Sequence, residues 1–180
     1  ERLLSLPLPR GSVLVGKFLG RAASFAAGVS VGLGAGGALV VVRYGFAVLP
    51  AYLHYTLTAV AAGVAFLAVG VAISAAVDDK ARALGGALLA WAWFALVYDL
   101  IALGAIVAVD LPEWSLSLVV LGNPADVLRV VVLSLVPTSG GGVSATLATG
   151  SVSAPLVVAA LVGWTVVPVF VGSRLLAARA

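Results

Sequence analysis

Residues 22–42 read AASFAAGVSVGLGAGGALVVV, from Ala22 to Val42, bracketed by Arg21 and Arg43. These 21 positions carry no charge, and as an α-helix they would rise about 31 Å, enough to cross the hydrocarbon core of a bilayer. Nothing else in the chain could hide such a segment from water. Of 180 residues, 63% are apolar and 9% are charged, with a mean hydropathy of +1.22. A soluble domain carries about a quarter charged residues to cover its core. Soluble enzymes, disordered chains and fibres are excluded, and an all-α, polytopic membrane helix bundle remains.

Charge spacing divides the rest. Residues 44–77 are free of charge, with Pro50, Tyr52, His54 and Tyr55 reading as interfacial and 55–77 as the second span. Residues 83–109 hold one charge, Asp99, and form the third span; 153–173 form the fourth. Arg2, Arg10, Lys17, Arg21, Lys80, Arg82, Arg174 and Arg179 then fall on one side, with Arg43 and Arg129 opposite. The positive-inside rule puts both termini in the cytoplasm. Residues 1–21 read as a cytoplasmic segment and 22–180 as the membrane domain. Between the last two spans, 110–152 form an outer segment. Asn123-Pro124-Ala125-Asp126 reads as a helix start, with Asn as cap, Pro at the first position and Asp near the dipole. The apolar run that follows, with Arg129 as its only charge, reads as a short helix lying in or dipping into the outer interface. Pro137 to Gly142 read as a flexible connection.

Several chemistries are closed to this chain. It has no cysteine and a single histidine, His54, which removes thiol catalysis, Cys-ligated metals and any two-histidine site. The net charge of +3 forms no basic stripe, so nucleic acid is not a partner. Gly11 to Lys17 fit most of a phosphate-binding loop, but Phe18 stands where Ser or Thr must hold magnesium. Gly32-Leu33-Gly34-Ala35-Gly36-Gly37 matches a dinucleotide fingerprint inside an apolar span, where no βαβ unit can form. Its physical meaning lies in spacing. Gly16, Gly20, Ser24, Gly28, Gly32 and Gly36 recur every fourth residue on one smooth helix face. Such a face suits close packing in lipid, within the bundle in preference to a dimer interface.

Asp99, beside Tyr98, is the costly residue, because a carboxylate at that depth needs a partner or water. It serves either a polar pathway or a helix–helix anchor. His54 reads as an interface anchor, and the four tryptophans as packing and interface residues. The segment from Glu1 to Gly11, with Leu4, Pro7 and Arg10, is amphipathic and proline-punctuated, suited to docking a soluble partner.

The order E-x-L-L-S-x-P-x-x-R from Glu1 to Arg10, then Gly16-Lys17-x-x-Gly20, resembles the coupling segment of type-2 ABC transporter permeases. Lys80-Ala81-Arg82-Ala83-Leu84-Gly85, Tyr98-Asp99-Leu100, Asn123-Pro124-x-Asp126-x-x-Arg129 and the closing Trp164, Pro168 and Arg174 agree with it. The branch is that of multicopper-enzyme maturation, which includes the permease of the nitrous oxide reductase maturation system. The resemblance implies six spans in the whole protein, so that this chain, which has no methionine, would lack the first two. It implies a homodimeric exporter whose ATP and magnesium are bound by a separate ATP-binding subunit, with no cofactor or metal on this chain. Glu1, Leu4, Pro7, Arg10, Gly11 and Lys17, with Asp79, Lys80 and Arg82, would couple to that subunit. A copper-handling protein outside would be a further partner. Export of a lipid, drug or polysaccharide, a non-transporting anchor and an intramembrane enzyme are the competing readings; the last has too few ionisable groups for a paired catalytic site.

Overall fold

A computed structural model describes residues 10–108, 112–135 and 153–178. Charge-free apolar runs become long helices because lipid offers no partner for an unpaired backbone group. The first, α1 (Arg10–Tyr44), runs unbroken through the boundary expected at residue 21. Gly45, with φ of 82°, turns the chain into a short 3₁₀ turn (Phe46–Val48); a side chain there would be strained. Next comes α2 (Leu49–Ala76), with Pro50 in its first turn, where a missing N–H costs nothing. The helix therefore begins six residues before the expected start, and Tyr52, His54 and Tyr55 belong to its first turns. Asp79 caps α3 (Lys80–Ala92), its carboxylate accepting from the Arg82 N–H at 3.0 Å. The third span then passes through a π-turn (Trp93–Val97) into α4 (Tyr98–Ala108). The last span is α7 (Ala154–Ala178). Among the described residues four helices are thus long and apolar enough to cross a membrane, as the charge spacing indicates.

The outer segment departs from expectation. Among the described residues it holds two helices, α5 (Glu113–Leu121) and α6 (Pro124–Leu135), bent against each other by 111°. The expected connection at Pro137–Gly142 lies outside the described residues, as do Glu1, Leu4 and Pro7.

At the centre stands α2, which touches α1, α3, α6 and α7. Its buried face, Thr58, Ala62, Ala65, Ala68, Val71 and Ala75, is made of small residues, which let neighbours approach closely where no water is expelled. At one end Leu14 and Phe18 of α1 pack with Ala68, Val71 and Ala75 of α2, and Val169 and Leu176 of α7 join them. This end also carries Lys17, Arg21 and Arg174. Further along, Ala62, Val127 and Leu161 tie the hairpin to α2 and α7.

The glycine stripe is not used as expected. A Cβ at Gly16, Gly20, Gly28 or Gly32 would meet nothing within 4 Å among the described residues. Only Gly36 of the series packs inside the bundle, where a Cβ would lie 2.9 Å from the Tyr52 hydroxyl. That hydroxyl donates to the Leu33 carbonyl at 2.8 Å.

Candidate functional site

The sequence marks Tyr98, Asp99, Asn123, Asp126 and Arg129 in two separate regions. The fold brings all five together at the elbow between α5 and α6. A helix elbow at membrane depth exposes carbonyls at the end of one helix and N–H groups at the start of the next, and each needs a partner. Here the partners come from two spans. Tyr98 of the third span donates its hydroxyl to the Val119 carbonyl at 2.7 Å. Trp164 of α7 donates its indole N–H to the Leu121 carbonyl at 2.9 Å. Gly122 closes the turn because there is no room for more: a Cβ would lie 2.5 Å from the Tyr98 hydroxyl and 3.1 Å from the Leu118 carbonyl.

Asn123 organises the start of α6 and is fully buried. Its side-chain oxygen accepts from the Ala125 N–H at 2.9 Å, the capping role that its sequence position indicates. Its amide nitrogen lies 2.8 Å from the Phe94 carbonyl, 3.1 Å from an Asp126 oxygen and 3.4 Å from an Asp99 oxygen. The two amide hydrogens serve the two shorter contacts.

The Phe94 carbonyl is free to accept because of the π-turn. In an α-helix it would take the N–H of Tyr98, four residues on. In the π-turn the Tyr98 N–H goes to Trp93 instead. Phe94 lies halfway along the Lys80–Ala108 helix, so the elbow reaches the middle of that span. The expected short helix, lying in or dipping into the interface, is α6, and α5 precedes it in a bent pair whose elbow lies level with the middle of the third span.

Arg129 completes the cluster, pairing with Asp99 and lying 2.8 Å from an Asp126 oxygen. This answers the cost of an intramembrane carboxylate: one guanidinium and one amide face two carboxylates. Asp99 is therefore a helix–hairpin anchor by geometry. Behind it the Phe94 ring meets Trp164 edge-on at 5.1 Å and Phe66 of α2 at 6.1 Å. Elbow, third span, α2 and α7 thus share one junction.

Phe94, Gly122 and the role of Trp164 are not visible in the sequence. Trp93 to Val97 read as an ordinary apolar run, and no local signal marks a π-turn. Of the other tryptophans, Trp91, Trp93 and Trp114 are exposed on this chain.

Beside the hairpin, α2, α6 and α7 line a half-open cavity of about 650 Å³ walled by Leu57, Val64, Val130, Leu161 and neighbouring apolar residues. Thr58 and Thr165 turn their hydroxyls to carbonyls of their own helices, at 2.9 and 2.8 Å. His54 stands at its edge. Among the described residues no three His, Cys, Asp or Glu side chains gather as a metal site. At the basic end Lys17 and Arg21 line a smaller crevice of about 200 Å³ with Leu14, Val71, Ser74 and Leu176. Gly11 lies against α7, 3.6 Å from Ser173 if given a Cβ.

This arrangement of spans and re-entrant hairpin coincides with a family match. The model of the ABC-2 family transporter proteins fits residues 1–179. The chain belongs to the ABC-2 transporter family. Two relatives of this ABC-2 chain carry the name probable ABC transporter permease protein NosY. That of Stutzerimonas stutzeri is 34% identical over 188 residues, covering 99% of this chain and 65% of the relative. That of Pseudomonas aeruginosa is 34% identical over 138 residues, covering 73% of this chain and 50% of the relative. The ABC-2 chain therefore spans between half and two thirds of the length of these relatives.

Proposed function

We propose that the chain is the membrane part of an ABC transporter permease subunit, which moves its cargo while a separate subunit hydrolyses ATP. The observation that carries this reading is the family match over residues 1–179, joined to a bundle with no nucleotide-binding loop of its own. Residues Glu1 to Gly11, with Lys17 and the Asp79–Arg82 turn, form the coupling surface for the ATP-binding subunit. The Asp79 cap stiffens that turn, as a surface that transmits force requires. ATP and magnesium stay on the partner, and a second permease copy completes the transporter. The relatives named NosY support a cargo linked to copper-enzyme maturation, with a copper-handling protein beyond the membrane.

A second reading, export of a lipid or other apolar molecule, is favoured by the 650 Å³ apolar cavity. Affinity purification of the tagged full-length protein from its native membrane, with mass spectrometry, tests both. Recovery of a P-loop ATPase in near-equal amount supports the transporter; its clean absence from well-folded protein overturns it. ATPase stimulation by apolar compounds, with copper-enzyme maturation intact in a deletion strain, selects the second reading.

A further inference from the structure

We propose that the third span contains a register switch, in which the Tyr98 N–H and the Asn123 amide compete for one acceptor, the Phe94 carbonyl. In the present state Asn123 holds that carbonyl at 2.8 Å and the Tyr98 N–H is displaced to Trp93. In the other state Tyr98 takes Phe94, the π-turn becomes α-helix, and the Asn123 amide is released. A π-turn holds one residue more than an α-turn, so this exchange rotates α4 by about 100° and lengthens the span by about 1.5 Å.

The grip on the hairpin makes the exchange all-or-none. The third span holds the elbow at three points: the Phe94 carbonyl, the Tyr98 hydroxyl and the Asp99 carboxylate. All three lie in the π-turn or within two residues of its end. A rotation of about 100° carries Tyr98 and Asp99 off Val119 and Arg129 together. Arg129 keeps Asp126, its neighbour on α6 at 2.8 Å, so the released hairpin does not carry an unpaired guanidinium. The backbone of the third span is satisfied in both arrangements, as a bistable element requires, while Asp99 and the Val119 carbonyl exchange their partners for water in the second. The drive rests on the transporter reading: an ATP-binding subunit that tilts the bundle would bias one register, whereas the switch itself needs only the residues described.

The test is a nitroxide scan of positions 100 to 107, one site at a time, in the full-length protein in bilayer nanodiscs, reading oxygen accessibility. These 180 residues contain no cysteine, and any cysteine elsewhere in the full-length protein is first replaced by serine, so that each label site is unique. Asn123→Ser keeps an oxygen for the Ala125 N–H but cannot donate to Phe94. It is expected to move the accessibility maxima by one position, about 100° of helix. Trapping the transporter with ATP and vanadate is expected to move the unsubstituted protein the same way. Maxima that stay in place in Asn123→Ser overturn the switch. If that variant does not assemble, unchanged maxima on trapping, with the ATPase bound and active, overturn it instead. Movement in Asn123→Ser without a co-purifying ATPase upholds the switch and overturns the transporter reading alone.

Discussion

The elbow of the hairpin and the glycine face of α1 are opposite solutions to life in lipid. At the elbow, polar groups sit at membrane depth, and each has a named partner within hydrogen-bonding distance. On α1, Gly16, Gly20, Gly28 and Gly32 leave open space, where an added Cβ would meet nothing within 4 Å among the described residues. Lipid gives little force for pressing apolar faces together, so a fixed geometry there must come from hydrogen bonds or very close packing. The elbow has the first. The α1 face, among the described residues, has neither.

The contrast breaks most readily at Asn123. Replacement by Leu removes the cap, leaves the Phe94 carbonyl to the Tyr98 N–H and deprives the Asp126 carboxylate of a donor. A loss of about 3 kcal/mol is expected, read as a fall in the unfolding midpoint in detergent. A loss below about 1 kcal/mol would mean that the elbow is no firmer than the α1 face. Gly122→Ala comes next, costing about 2 kcal/mol by pushing the Tyr98 hydroxyl off Val119. In a Tyr98→Phe background the same change should cost under half as much, and a double-mutant cycle measures the difference. Asp99→Asn is milder for stability, about 1 kcal/mol, because Arg129 keeps Asp126 and the shape is preserved. Its larger effect is expected on function: coupled ATP hydrolysis at least about tenfold slower, a ΔΔG‡ of about 1.4 kcal/mol. A stable, fully active Asp99→Asn protein would reduce the anchor to packing. The smallest effect belongs to the other region. Gly20→Ala with Gly28→Ala should raise α1 stability by less than about 1 kcal/mol each, through helix propensity alone. A clear loss in the assembled transporter would show that another helix covers this face.

The four spans were legible because charge-free runs of twenty or more residues have few alternatives in the absence of water. The start of α6 was legible too, since Asn123-Pro124 and Asp126 are local chemistry. What escaped was tertiary. Asp99 and Arg129 are separated by 30 residues, and no spacing rule pairs a carboxylate in one span with an arginine beyond it. The π-turn leaves no mark because its side chains are those of any apolar helix; its cause, the Asn123 amide, lies 29 residues away. The glycine stripe reads as smooth from its spacing, and among the described residues Gly36 alone of its glycines meets a neighbour. Sequence gives the shape of a helix face, whereas its occupant depends on how the other helices stack.

The bond from Trp164 to Leu121 has a consequence for how the chain is made. The Leu121 carbonyl ends α5 at membrane depth, and its partner is supplied by a residue 43 positions later, in the last span. During synthesis the hairpin emerges first, with that carbonyl still unmatched. Water satisfies it at the membrane surface, and lipid does not. Insertion of the hairpin therefore waits for α7, and a helix made after the hairpin sets the timing of its burial.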